Sequence, residues 1–600
     1  MKDTYSKYKE RSPQDTIFEA QNILHGLDLF PVLKWEGENR EGFYSNRITL
    51  YPTAIGVNGK GTDPLYSTAS AYGELMERLQ NNILLSPPLT VKEREEAGLT
   101  FRLAPDEGKI ALESVCRDPD PFTGWLLEQL KEEDERSNGE AFLHLFAGTD
   151  GEHETLLSLP FADPFHHRIV DVPAFPARRI SGTNGMAAGN TLEEAMVQGL
   201  SELFEREVNL LVLEGKAVPP VIPDDVLRQY DLYRLIEDLR KNPDYEVEVL
   251  DCSLGKEWPV VALAVYDREH GTFGIRFGAH PSFPVALERT LTEAAQGKKL
   301  SQFVRSSRIN TLENASCNAN LHNVISVGDG YYPSSLFYQK PDWEFQPWTR
   351  FQGNDNRAFL KEMLQLLKEE GYTPLIRDAS FLGFPSVYIL IPGFHTMTHF
   401  DGRSVRLKRT LDRACASFRS FSELSEEEMK RILRLVKVFK YQVFSNLFGT
   451  LSGSPTADPR YSNHRIGAYL SLRLEDYPAA AEYFRLVLRT VSDPEEKQYL
   501  VCMKHYSELR AGGYSETAAK TLLRRLYRRE AAERVCRETE DLSELLNQVF
   551  PALHCPDCKN CSQHASCQYE AQKELYIRLQ HGMKKENVSQ EGLLDLLAGL

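Results

Sequence analysis

Glu-x-x-Glu-Arg is a repeated run, and two copies follow a glycine-rich turn: Glu74, Glu77 and Arg78 in SAYGELMER, and Glu202, Glu205 and Arg206 in GLSELFER. Each of these two sits in a helical pattern. Residues three apart stand about 60° apart around a helix, so each carboxylate pair shares one face. Like charges there repel unless a cation lies between them. A hard divalent ion such as Mg²⁺ takes oxygen ligands and is held by carboxylates together with nucleotide phosphates. The turns are NGKG, Asn58 to Gly61, and GTNGMAAGN, Gly182 to Asn190. Such turns expose backbone N–H groups, and a helix start adds a dipole end that favours an anion. Neither is a Walker loop or a Rossmann fingerprint. One such run alone is common on solvated helix faces. Two, each behind a glycine turn, point to a Mg–nucleotide site as the alternative to two solvated faces.

A third helix, ALERTLTE, puts Arg289 and Glu293 on one face at i, i+4. Lys9, Lys60, Arg206 and Arg289 are then available as countercharge for a triphosphate. His280, in GAHPSF just ahead of that helix, is either catalytic or, as a lone histidine more often is, a satisfied structural residue, and is left out of the site.

At 600 residues the chain exceeds one hydrophobic core, since cores stop growing near ~250–300 residues. The first 418 residues alternate helix and strand patterns and are expected to form an α/β (α+β) core, with 85–150 a weakly patterned insertion. Within it, helices are expected near 17–28, 68–84, 191–215, 284–302 and 357–370, and strands near 168–178, 245–251, 259–266, 272–277 and 386–393. Residues 419–532 read as all-α, opening on the capping box Ser425 to Glu428. The stretch 465–490 there is either a tetratricopeptide-type helix-turn-helix unit or an ordinary helical hairpin, broken at Asp476-Tyr-Pro478. Residues 533–600 are expected as a Cys-rich module with a helical tail. A net charge of −16 offers no basic footprint for a phosphate backbone, so no nucleic-acid partner is expected. No apolar run long enough for a membrane span occurs, and the start MKDTYSKYKERSPQDT lacks the apolar core of a secretory signal. A cytoplasmic protein is expected.

The segments NGKG…ASAYGELMERL, GTNGMAAGNTLEEAMVQGLSELFEREV, FGAHPSFPVALERTLTEAAQG and ILIPG, in that order, resemble the YcaO family of ATP-dependent proteins that activate peptide-backbone amides. The resemblance extends over nearly the whole of residues 1–510, and the layout is most like the stand-alone, enterobacterial-type members with a tetratricopeptide-like C-terminal region. It implies an ATP site without a P-loop and Mg²⁺ near Glu74, Glu77, Glu202, Glu205 and Glu293. Asn190 and Glu194 would line the nucleotide site, and Lys9, Arg206 and Arg289 would contact phosphate. Thr16 stands where relatives carry serine and keeps the hydroxyl; Ser70 is retained but equally suits packing. The implied chemistry is phosphorylation of an amide oxygen after a nucleophile adds to its carbonyl carbon, giving an azoline or a thioamide according to the nucleophile. Azoline-forming members usually end in Pro-x-Pro-x-Pro, whereas this chain ends LLDLLAGL, and no leader-binding domain is evident ahead of the core. Those departures favour the role of the stand-alone members, which promote β-methylthiolation of an aspartate in a small-subunit ribosomal protein. A radical methylthiotransferase partner, a homodimer, and a non-catalytic adaptor as the competing class complete the expectations. Retention of all five glutamates favours catalysis.

The cysteines Cys555, Cys558, Cys561 and Cys567 fall as Cys-x2-Cys-x2-Cys-x5-Cys. Four thiolates so close suit a [4Fe-4S] cluster or tetrahedral Zn²⁺, with His554 and His564 as substitute ligands for the latter; unligated thiols are the third alternative.

Overall fold

The computed structural model describes residues 7–36, 44–87, 89–133, 155–294, 300–310, 318–326, 328–394, 421–438, 462–550, 558–560, 564 and 567–600. They fall into two compact units, one of residues 1–86, 94–402 and 575–600, the other of 87–93 and 403–574. The expected boundary at 418/419 lies outside the described residues.

The first unit is a mixed α/β structure built on three sheets. Strands β1 (Phe30–Trp35), β2 (Tyr44–Tyr51) and β3 (Gly56–Gly61) form an antiparallel sheet in that order. A second sheet joins β4 (Gly108–Ala111), β5 (Thr155–Asp163), β6 (Arg168–Pro173), β7 (Met186–Ala188), β13 (Leu375–Asp378) and β14 (Ser386–Leu390) in the order β4-β5-β13-β14-β7, with β6 also on β5. The third runs β12-β11-β10-β9-β8, from β8 (Tyr245–Asp251), β9 (Val260–Asp267), β10 (Thr272–Ala279), β11 (Ser307–Asn310) and β12 (Gly330–Pro333). Only its β11–β12 pair is parallel among the pairings of the described residues.

Four helices of this unit carry most of the charged residues singled out from the sequence or hold the segments that do: α1 (Pro13–Gly26), α2 (Pro64–Gln80), α3 (Leu192–Leu213) and α4 (Phe283–Glu293). Asp63 caps α2 by accepting from Leu65 and Tyr66 N–H, with Pro64 first in the helix, and Thr191 caps α3 by accepting from Glu194 N–H. Strand β9 reads Val-Val-Ala-Leu-Ala-Val without alternation because both its faces are covered. Val260, Ala262 and Ala264 join the core around Leu200, Phe204 and Val208 of α3. Val261, Leu263 and Val265 join a second core with Ala286, Leu287 and Leu291 of α4. Each such fully buried Leu, Val or Phe contributes about 1.5–3 kcal/mol of transfer free energy. Close helix–strand contact depends on two glycines: a Cβ on Gly59 of β3 would meet the backbone of α2 at Ser67, and one on Gly278 of β10 would meet α4 at Thr290.

The strand expected over 168–178 stops at Pro173, and the residues beyond it form a helix, Ala174–Ser181. The glycine-rich stretch 182–190 contains the short strand β7. Residues 94–133, expected within a loose insertion, supply β4 and the buried Phe122 and Leu126. Residues 134–154 lie outside the described set. The tail helix Gln590–Ala598, expected to belong with the Cys-rich module, packs in the first unit because Leu593, Leu594 and Leu597 enter the core of α3.

The described part of the second unit is helical from Glu426 to Val549. Ser425 and Glu428 close the expected capping box, with Ser425 N–H donating to the Glu428 carboxylate at 2.9 Å and Glu428 N–H donating to Ser425 Oγ at 3.3 Å. The 465–490 stretch forms helices Asn463–Arg473 and Tyr477–Val487, and Asp476 between them caps the second by accepting from Ala479 N–H. Their buried faces, including Ile466, Leu470, Ala480 and Phe484, share one core.

Candidate functional site

In the first unit the Glu-x-x-Glu-Arg runs of α2 and α3 fold into the same device. Arg78 lies 3.5 Å from Glu74 and 3.0 Å from Glu77 on α2, and Arg206 lies 3.6 Å from Glu202 and 3.8 Å from Glu205 on α3. The helical spacing sets this arrangement, because the arginine is four residues from the first glutamate and adjacent to the second. Both devices line one cavity of about 830 Å³. Its wall also carries Lys9, Thr16, Ser70, Asn190, Glu194, Arg289 and Glu293, so every residue singled out for nucleotide or Mg²⁺ is brought to this space.

Burial dominates the electrostatics. It pushes the Glu77 carboxyl well above its ordinary range, with Arg78 opposing and Glu202 and Glu74 adding to the rise. It raises Glu74 and Glu205 as well, opposed chiefly by Arg78 and Arg206 respectively. Lys60, at the end of β3, pairs with Glu293 and is pushed down to about 8 by burial against the pull of Glu205 and Glu74. Arg289 donates to Ala279 O at 2.7 Å and to Gln198; burial brings it down to about 10, opposed by Glu205 and Glu288.

A second cluster fastens the segment before α1 to the start of α3. Lys9 Nζ donates to Glu194 Oε1 at 2.9 Å, Glu10 N–H donates to Oε2 at 3.0 Å, and Asn190 Nδ2 donates to the same oxygen at 3.0 Å. Thr16 Oγ1 donates to Asn190 Oδ1 at 2.7 Å. Burial pushes Glu194 up, but Lys9 and these donors outweigh it and hold the carboxyl below its ordinary range.

The donor set suits a hard cation. Glu77 Oε1 is buried beside the Arg78 guanidinium without an aligned hydrogen bond, and Glu74 and Glu202 add like charge around it. Among the described residues no three of these glutamates bring their oxygens within 4.8 Å of one another. Mg²⁺ is usually held by one or two carboxylates, with phosphate oxygens and water completing the shell. Asn184 Nδ2 and Arg206 Nε are buried donors without hydrogen-bond partners, on residues of the same wall, and are matched to anionic oxygens.

Sequence reasoning misses Lys7, Gln198, Asn209, Arg276 and Glu288, which also line the cavity. Lys7 lies in a polar run with no periodicity, and Glu288 lies about 100° from its neighbour Arg289 on α4, off the face read from the sequence. His280 is 2% exposed, accepts Ser282 N–H at Nδ1 (2.9 Å), and packs against Tyr8 and Phe359. Burial, aided by Arg289 and Lys9, drives it well below the ordinary range.

Of the four clustered cysteines, Cys555 and Cys561 lie outside the described residues. Cys558 opens a short 3-10 turn, Cys567 Sγ accepts from Tyr569 N–H at 3.4 Å, and His564 Nε2 lies 2.8 Å from Glu570.

The family model described as YcaO cyclodehydratase, ATP- and Mg²⁺-binding, matches residues 58–395. The chain is 31% identical over 339 residues to the ribosomal protein S12 methylthiotransferase accessory factor YcaO of Escherichia coli K12, covering 56% of this chain and 57% of that protein. It is 28% identical over 337 residues to an uncharacterized protein of Haemophilus influenzae, covering 56% of each. The chain thus spans a little over half the length of these relatives. Among solved structures it is similar to a heterocyclase in complex with substrate and cofactor (18% identity, TM-score 0.43, 66% of this chain and 54% of that one). It is also similar to YcaO from Methanopyrus kandleri bound with AMPPCP and Mg²⁺ (17% identity, TM-score 0.38, 66% and 95%). Matched by the family model across more than half its residues, the chain belongs to the YcaO family.

Proposed function

We propose that this protein uses Mg-ATP to activate a backbone amide of a peptide or protein substrate, with the 830 Å³ cavity as the reaction site. The observation that carries the reading is the convergence of two arginine-bridged carboxylate pairs, Glu293 and the Lys9–Glu194–Asn190 cluster on one wall. In this reading Glu74, Glu77, Glu202, Glu205 and Glu293 hold Mg²⁺, which neutralises charge developing on the transferred phosphoryl group. Lys9, Arg206 and Arg289 stabilise the phosphate oxygens, and Thr16, Ser70, Asn190 and Glu194 position the nucleotide. Buried, prealigned cations stabilise such charge far better than water does, because they need no reorganisation. An amide oxygen is a poor leaving group; transferring a phosphoryl group to it converts it to a good one.

The relative named as an S12 methylthiotransferase accessory factor supports one biological setting: promotion of β-methylthiolation of an aspartate in a small-subunit ribosomal protein. In that setting the protein acts in the cytoplasm, as a homodimer, with a radical methylthiotransferase, and the tetratricopeptide-like helical unit recruits a protein partner. Among the described residues no helix is long and apolar enough to cross a membrane. Cys555, Cys558, Cys561 and Cys567 would hold a [4Fe-4S] cluster or Zn²⁺. The alternatives are thioamide or azoline formation and a nucleotide-regulated adaptor without catalysis.

Mass spectrometry of small-subunit ribosomal proteins from cells with and without the gene tests the setting: loss of a methylthio group on deletion supports it. Restoration by a Glu205→Gln variant would overturn a catalytic role and leave the adaptor. An unchanged ribosomal protein would remove that setting.

A further inference from the structure

At the cavity wall lies a triangle of proton-carrying groups, none of them assigned to phosphate or Mg²⁺. Lys7 Nζ, from the segment ahead of α1, donates to Thr62 Oγ1 at 2.8 Å and to Glu288 Oε1 at 2.7 Å. Thr62 Oγ1, in the turn between β3 and α2, lies 3.1 Å from the same carboxylate oxygen. The Lys7 ammonium also stands 3.8 Å over the Tyr66 ring, and both Lys7 and Glu288 face the cavity. Three stretches distant in sequence therefore meet at one carboxylate of α4.

The partners distinguish this carboxylate from the glutamates of α2 and the start and middle of α3, while Glu293 of α4, which pairs with the Lys60 ammonium, is already assigned to Mg²⁺. Glu74, Glu77, Glu202 and Glu205 lie beside guanidinium groups, which do not give up protons at any ordinary pH. Glu194 is held ionised by its donors. Glu288 has an ammonium and a hydroxyl beside it, both able to donate and to rotate.

We propose that Glu288, with Lys7 and Thr62, is the proton-transfer site of the reaction, taking the proton of the attacking nucleophile. This role rests on the amide-activation reading. In the step the nucleophile's S–H or O–H bond breaks and its electron pair forms the new bond to the amide carbonyl carbon. The proton goes to Glu288. The carbonyl electron pair moves to oxygen, which takes the γ-phosphoryl group of ATP as ADP leaves. Lys7 keeps its proton and stabilises the ionised carboxylate beforehand, and Thr62 fixes the carboxylate's orientation.

The surroundings tune Glu288 for this task. Burial pushes its carboxyl up to about 7, opposed by Arg289 on its own helix. Burial pushes Lys7 down to about 8, with Asp63 at the start of α2 opposing and Lys9 reinforcing the fall. A group that titrates near the working pH is the most effective general base.

The proposal extends to water held beside Glu288 and attacking the γ-phosphoryl group with loss of its proton to that carboxylate, so slow ADP formation from Mg-ATP by the full-length protein is the readout. Its rate, measured from about pH 5.5 to about pH 9 to span the Glu288 titration, is expected to climb through an acid limb near neutrality. Glu288→Gln is expected to lower the rate about 100-fold and remove the limb. Lys7→Met is expected to move the limb to higher pH, because losing a neighbouring cation raises a carboxyl pKa. A purely structural latch would lower the rate without moving the limb. Affinity for Mg-AMPPCP, followed by calorimetry, should stay within about threefold in both variants. A limb that persists in Glu288→Gln, one that stays in place in Lys7→Met, or a wild type without turnover overturns the proposal. Failure of the wild type to bind Mg-AMPPCP would instead remove the nucleotide reading and this proposal with it.

Discussion

Substituting Gly59 with alanine should damage the cavity from a distance, through helix α2. Gly59 lies on β3, where an added Cβ would stand 2.2 Å from Ser67 O, 2.6 Å from Ala71 Cβ and 2.7 Å from Ala71 N. Real Cβ contacts essentially never fall below 3.0 Å, and all three obstacles are backbone or Cβ atoms of one helix rather than flexible tips. Helix α2 must therefore retreat from β3 by roughly 1 Å, in a core too close-packed to absorb the shift elsewhere. Overpacking of this kind costs about 1–3 kcal/mol of stability. The functional cost should be larger in proportion, because α2 carries Ser70, Glu74, Glu77 and Arg78 while Lys60 stays with β3. A displacement of ~1 Å in positioning groups is worth about 100-fold. ATP turnover should fall by that order, and calorimetric titration with Mg-AMPPCP should show weaker binding, alongside a lower melting temperature. Gly26→Ala, whose Cβ would meet nothing within 4 Å, should leave binding unchanged. Wild-type affinity and melting in Gly59→Ala would refute the dependence of the site on β3–α2 contact.

Three further outcomes are expected. Glu194→Gln should cost roughly 1.5 kcal/mol at pH 7, at the low end for a charge-assisted bond because its Lys9 partner is about one-third exposed. Because the folded Glu194 carboxyl is held below its ordinary value, its stabilisation is full above an unfolded pKa of about 4.3 and is lost as pH falls through the folded value. Thermal melts at a series of pH values should therefore show wild type and variant converging in acid. Gln590→Ala should cost about 2–3 kcal/mol, since it strands Asp378 N–H and Asp378 O, which Gln590 pairs at 3.0 and 2.8 Å, and frees the tail helix from β13. Greater protease sensitivity near residue 590 would check it. Because burial keeps Glu77 protonated well above the ordinary range, Mg²⁺-dependent nucleotide binding should release protons and strengthen as pH rises. Calorimetry in buffers of different ionisation heat measures that release, and Glu77→Gln should reduce it.

How much of this is legible in the sequence depends on how local each signal is. Helix α3 is legible because Leu200, Leu203, Phe204 and Val208 recur at helical spacing behind Thr191. The carboxylate devices are legible because Glu-x-x-Glu-Arg is a spacing that a single helix turns into geometry. The strand expected over 168–178 runs too long because Phe175 and its neighbours beyond Pro173 look strand-forming. The chain turns there instead into a helix that buries Ala174, Ala177 and Ile180. Strands β11 and β12, four residues each, are too short to show a period. Lys7, Thr62 and Glu288 cannot be joined from sequence at all, since their contact spans 281 residues between Lys7 and Glu288 and depends on how three elements pack. The same holds for Gln590, which finds Asp378 across 212 residues. Periodicity reports one face of one element; a site assembled from several elements appears only in the fold.

That the arginine-bridged carboxylates of α2 and α3 form a Mg–nucleotide site is tested most directly by titrating the full-length protein with ATP, with and without Mg²⁺, beside Glu205→Gln. Binding should require Mg²⁺ and collapse in the variant, while the variant's melting temperature stays near wild type. Equal affinity with and without Mg²⁺, or undiminished affinity in Glu205→Gln, would contradict the assignment.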